Sequence, residues 1–141
     1  MKFSFAVDEG ALVNLPDVTS RNIDVDVTSD QLVVHFGPEF NASIDRTRVA
    51  SAEDMADPRP RVYFPMGISA AVEQLGRDTI CVVTSYQGLV RINFDRAVNG
   101  TTVAPNYSGK ASTEAGVDVQ FGTLILSLEK PAEFIRALRG S

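Results

Sequence analysis

Tryptophan is absent from this 141-residue chain, histidine and cysteine occur once each, and basic residues are outnumbered by acidic ones, 13 to 18. Each shortage excludes something. One cysteine, Cys81, rules out an intramolecular disulfide, and nothing points to an oxidising compartment. One His and one Cys cannot assemble a zinc site. A net charge of −5 disfavours nonspecific binding to nucleic acid or to an anionic membrane, since both need a positive field. No sustained apolar run opens the chain: MKFSFAVDEG meets acidic residues within eight positions. It predicts neither a secretory signal nor a membrane span, and cytoplasmic location is the expectation. No glycine-rich phosphate loop, repeat or low-complexity tract is present; Gly37 and Gly122 read as isolated turn glycines.

What is present is apolar material and alternation. At 44% hydrophobic residues the chain can bury a core as one domain over residues 1–141. Phe3, Phe5 and Val7 alternate with other residues as a first strand. Residues 11–21 read as a connection. Ile23, Val25 and Val27, then Leu32, Val34 and Phe36, form a hairpin across the polar turn Thr28-Ser29-Asp30. Strands follow at residues 40–44 and 48–53, with a turn at Asp45-Arg46 between them. Three prolines (Pro58, Pro60, Pro65) make residues 56–65 a loop or irregular edge. Residues 68–75 read as a short helix or connection. Residues 80–83 form a strand, and a turn at 85–88 is expected to close a hairpin onto Val90, Ile92 and Phe94. Residues 97–122, rich in Gly, Asn, Ser and Thr, read as a long loop with one frayed strand near 117–121.

The closing run, TLILSLEKPAEFIRALR, passes from strand to helix. Leu124, Leu126 and Leu128 alternate with Thr123, Ile125 and Ser127, which predicts one buried face. Pro131 suits the first helical turn, because its missing N–H would be unpaired there anyway. Phe134, Ile135 and Leu138 give a single apolar stripe. So short a helix needs a surface to dock on, and the stripe predicts a lid on the protein's own core. Seven or eight short strands with one terminal helix predict a mostly β fold: a strongly bent antiparallel sheet or partly open barrel, one end or edge covered by the helix.

The runs LVVHFGPEFNASIDRTRVASAE, RDTICVVTSYQGLVRINFDRAV and LSLEKPAEFIRAL together resemble small actinobacterial proteins with a pleckstrin-homology-like fold. The resemblance implies a seven-stranded bent barrel capped by a C-terminal helix, and carries little about activity. The chain departs from the pattern at Lys130, where such proteins often have aspartate, and in PRPRVYFPMGIS, where they have aromatic, glycine-rich segments.

Candidate sites each compete with a structural reading. Phosphoinositide binding through the first hairpin is disfavoured, because Asp24, Asp26 and Asp30 would repel a phosphate. The same aspartates lack the glycine and distant glutamate of a calcium loop. Arg46, Arg48, Arg59 and Arg61 form a candidate basic patch, against a reading as solvated arginines paired with Glu53, Asp54 and Asp57. Tyr63, Phe64, Tyr86 and Tyr107 are candidate contact residues, since tyrosine supplies contact area at low entropic cost. His35 has no nucleophile at a recognisable spacing, and its parity puts it on the outer face. Cys81 reads as a packed core thiol. Asn41-Ala42-Ser43 matches a glycosylation sequon by coincidence. A catalytic group assembled from His35, Asp45 and Arg91 would need a cleft to unite them. The expectation is therefore a non-enzymatic binding or scaffold module without a cofactor, engaging a protein partner or a second copy of itself. The alternative is a carrier holding a small apolar ligand between sheet and helix.

Overall fold

The computed structural model describes residues 1–7, 18–19, 21–55, 72–75, 78–85, 87–102 and 117–140. Among these are β1 (Lys2–Phe3), β2 (Ile23–Val27), β3 (Gln31–Phe36), β4 (Phe40–Asp45), β5 (Val49–Asp54), β6 (Val72–Leu75), β7 (Thr79–Val82), β8 (Leu89–Thr102), β9 (Val117–Ser127) and α1 (Pro131–Arg139). One sheet holds all nine strands in the order β1-β2-β3-β4-β8-β9-β7-β6, with β5 joined to β8. The mostly β architecture with a single C-terminal helix is as expected.

Alternation places β2, β3 and β4. Ile23, Val25 and Val27 face the core with Leu32, Val34 and Phe36, and Val25 stands opposite Val34. The turn between them is held by the Thr28 hydroxyl, which accepts from the Gln31 amide at 2.9 Å. Gly37 (φ 55°) then reverses the chain into β4. Next, β8 and β9 form the long ribbon around which the sheet curls. Residues 94–97 of β8 stand opposite the single Gly122 of β9. At this bulge β8 changes its second partner, from β5 over residues 90–94 to β4 at Thr101 and Thr102. Extra residues on one strand bend it and increase its twist.

The N-terminal segment closes the curl. Phe3 pairs with Val25 of β2, while Phe5 bridges Leu128 and Val7 bridges Thr84. Seven residues thus join the first edge of the sheet to its far side. The join is polar and buried. Thr84 Oγ1 and Ser127 Oγ both donate to the Ala6 carbonyl, and the Thr84 amide donates to Ser127 Oγ at 2.9 Å. Two buried hydroxyls therefore leave no donor unmatched.

The interior is aromatic and aliphatic. Phe40 and Phe94 both pack on Phe121, with centroids 5.9 Å apart, and Phe5 meets Phe36 at 5.3 Å. From α1, Phe134 and Leu138 join this core, and Ile135 packs against it half-buried. Lys130 gives the helix no side-chain cap, as its residue type requires. The helix covers the edge of β5 turned away from β8, where Arg139 donates to the Ala52 carbonyl at 2.8 Å.

Four expectations are corrected. First, Val72–Leu75 is a strand, β6, stabilised by antiparallel pairing with β7. Local sequence there has no strong period, so the ladder decides. Second, β7 and β8 do not form a hairpin. β9 lies between them, parallel to β7 and antiparallel to β8. Residues 83–85 are buried, and the turn is pinned where the Leu128 amide donates to the Gly88 carbonyl. Third, residues 97–102 are strand where loop was expected, and the strand expected near 117–121 is continuous with the closing strand. They extend β8 and β9, and long cross-strand pairing outweighs their Gly, Asn and Thr content. Residues 103–116 lie outside the described residues. Fourth, β9 is buried on both faces from Leu124 to Ser127, not on one. Leu124 and Leu126 face the main core, whereas Ile125 belongs to a second cluster with Met55, Cys81, Val83 and Leu89. A central strand flanked by a parallel neighbour and buried twice reads as a continuous apolar run. The first strand is shorter than expected, since β1 ends at Phe3, and the 48–53 strand is displaced by one residue to Val49–Asp54 because a 3-10 turn occupies Arg46–Arg48.

Candidate functional site

Strand parity creates a polar face outside β4, β8 and β9. Phe40, Ala42 and Ile44 of β4 turn inward, so Asn41 and Ser43 turn outward. In β8, Val98 and Gly100 are buried and Asn99 and Thr101 project the other way. In β9, Phe121 is buried and Val119 packs against the core, leaving Asp118 and Gln120 outside. Register brings these into two rows. Asn41 stands opposite Thr101, and Thr101 opposite Asp118; Asn99 stands opposite Gln120. With the backbone of Ala42 and Gly100 they line a concavity of about 670 Å³, broadly open to solvent. The first row continues through His35 and Asp24 on β3 and β2.

Gly100 lies beneath this floor, on the core face of β8. A Cβ there would lie 3.1 Å from both the Phe40 and Phe121 rings, so the residue is kept small from the core side. Of the lining side chains, Asn41 is committed: its amide donates to the Gly37 carbonyl at 3.0 Å and fixes the β3–β4 turn. Those of Ser43, Asn99, Thr101, Asp118 and Gln120 have no hydrogen bond or ion pair among the described residues. No Lys or Arg is among the described lining residues. The trough can therefore donate and accept neutral hydrogen bonds at several points, with one carboxylate.

Sequence reasoning missed this site. Asn41 and Ser43 read as a chance sequon, Asn99 and Thr101 fell in the segment read as loop, and Asp118 and Gln120 lay in the short strand expected near 117–121. One signal was available: VDVQF at 117–121 alternates strictly.

The predicted contact residues lie elsewhere. Arg59, Arg61, Tyr63, Phe64, Tyr86 and Tyr107 are outside the described residues. Arg46 and Arg48 share one 3-10 turn but point to different tasks. Arg46 Nη1 donates to the Thr28 carbonyl at 2.7 Å, and Nη2 reaches the carbonyls of Ala137, Leu138 and Gly140 at 3.0 to 3.1 Å. Its fork therefore caps the last turn of α1, where carbonyls lack helical partners and the dipole is negative. Arg48 lies 3.8 Å from Asp95, and its Nη1 has no hydrogen-bond partner among the described residues. Glu53 pairs with Arg91.

Replacing Arg46 with Ala should lower stability by about 2 kcal/mol, because several charge-assisted bonds are lost at a half-buried site. Lysine should restore little, since an ammonium cannot reproduce the fork. Urea midpoints and amide exchange at residues 137–140 measure both. Unchanged protection at those amides would show that the clamp contributes nothing.

His35, Asp45 and Arg91 are not united. Asp45 accepts from the Thr47 amide and hydroxyl, which holds its carboxyl below the usual range, with Arg48 adding to the effect. His35 is exposed, four positions along β3 from Gln31, the partner of Asp45. That is about 13 Å of strand. Arg91 is tied to Glu53. Cys81 is fully buried in the second cluster. Among the described residues no cluster of three metal-ligating side chains occurs, and no helix is long and apolar enough to cross a membrane. Comparison with family models, curated proteins and solved structures finds no match to the chain.

Proposed function

We propose that the protein is a non-enzymatic binding module built on a pleckstrin-homology-like frame, and that its binding face is the outer surface of β4, β8 and β9. The observation that carries this reading is the trough itself, in which five polar side chains are held in register and used for nothing inside the described chain. Rigid strands present them, so little ordering entropy is lost when a ligand arrives. The occupant is a protein partner, a second copy of the chain, or a group displayed by one. The apolar-carrier alternative has less support. The helix-side interior is occupied by the Phe134 ring, edge-to-face on Phe3 at 5.3 Å, whereas the trough is polar.

A double substitution, Asn99→Arg with Gln120→Arg, tests the reading. Both side chains are exposed and have no hydrogen bond among the described residues, so the fold should survive, as circular dichroism would verify. Sedimentation equilibrium and crosslinking with purified candidate partners should show association for the original chain and its loss in the variant. Equal association by both chains, or none by either, would sink the proposal.

A further inference from the structure

Resting on that reading, we propose that the trough is a site for a neutral polyhydroxylated ligand, a sugar unit either free or displayed on a larger molecule. Asn99 and Gln120 each offer two donors and an acceptor, and the Ser43 and Thr101 hydroxyls do both. A sugar hydroxyl also donates and accepts, so each can be satisfied at such a surface in either sense. Spacing agrees. Residues opposite each other across the strands are about 5 Å apart, and the two rows about 7 Å, which is the scale of one pyranose ring. The volume, about 670 Å³, leaves room for more than one ring.

The same residues select against other ligands. The described lining holds a carboxylate, Asp118, and no cation, and Asp24 lies in the same row across β3 and β2. Phosphates, sulfates and carboxylates would be repelled there. Apolar ligands would gain little, because the described lining carries no large apolar side chain. For a hydroxyl, by contrast, the Asp118 carboxylate is a charge-assisted acceptor, roughly twice as strong as a neutral one. Open access to solvent keeps the affinity modest, with Kd on the order of 1 mM.

The test is a titration of the isotopically labelled protein with maltotriose, cellotriose and chitotriose, followed by amide chemical shifts, with inorganic phosphate and hexanoate as controls. Expected are saturable shifts from at least one sugar, confined to residues 41–43, 99–101 and 118–120. Asn99→Ala and Gln120→Ala should each weaken that binding about tenfold while leaving the remaining spectrum in place. Absence of saturation with all three sugars overturns the inference, as does unaltered affinity in both variants or a stronger response to phosphate or hexanoate. If the sugars fail while partner association still depends on this face, the sugar assignment falls and the binding-module reading stands. If both fail, both fall.

Discussion

Replacing Gly88 with alanine should destabilise the protein by about 3–5 kcal/mol, a large share of the roughly 5–15 kcal/mol that holds a domain together. Two effects combine. Gly88 adopts φ 68°, where a side chain costs about 1–2 kcal/mol. More important, a Cβ at this position would meet the Leu128 carbonyl oxygen at 1.9 Å. That oxygen belongs to backbone, so β9 or the turn must move, and the 2.9 Å bond from the Leu128 amide to the Gly88 carbonyl goes with it. Asparagine separates the two effects. It tolerates the left-handed region better than alanine, so it would rescue a position limited by φ alone. Here it should not rescue, because its Cβ makes the same close approach. Denaturant midpoints and soluble yield of Gly88→Ala and Gly88→Asn decide this. Native-like stability of the asparagine variant would mean that the turn is not pressed against Leu128.

Truncating Phe134 to alanine should cost about 3–5 kcal/mol and lower Tm by about 10–15 °C. The ring is completely buried and meets Phe3 edge-to-face at 5.3 Å, so a cavity opens under the helix. The loss spreads, because nine residues cannot hold a helix without docking. The Arg46 clamp and the Arg139 bond to Ala52 depend on α1 staying in place. Release of α1 would also expose the β5 edge, so aggregation on heating should begin earlier. Phe134→Leu, which keeps most of the volume, should lose far less. Thermal melts with light scattering check all three points. An unchanged Tm for Phe134→Ala would show that α1 is no lid, and a helix available for docking elsewhere would then be the better reading.

Much of this architecture is legible in local pattern. Period two in IDVDV and QLVVHF specifies both strands and the face each buries, because a slip of one residue would invert every side chain. Pro131 and the spacing of Phe134 and Leu138 specify the helix and its stripe. The polar trough was only half legible. Alternation at 117–121 was present, but Gly100, Asn99 and Thr101 look like turn formers when read singly. They become strand residues once β4 and β9 supply partners on both sides. Arg46 shows the same limit. An arginine beside a turn suggests a surface charge, and only the arrival of α1, over ninety residues later in the chain, makes it a cap.

By itself, then, the order of residues determined most of the strands, the helix and most of the apolar faces, since these rest on neighbours a few positions apart. It also excluded an intramolecular disulfide, through a count alone. Tertiary structure decided the pairing: β9 between β7 and β8, the N-terminal segment stitching the curl closed at Thr84 and Leu128, and six polar side chains gathered from three strands into one trough. Those outcomes depend on contacts between residues far apart in sequence. Such contacts arise from long-range hydrogen-bonded registry and shared burial, which no short window of sequence contains.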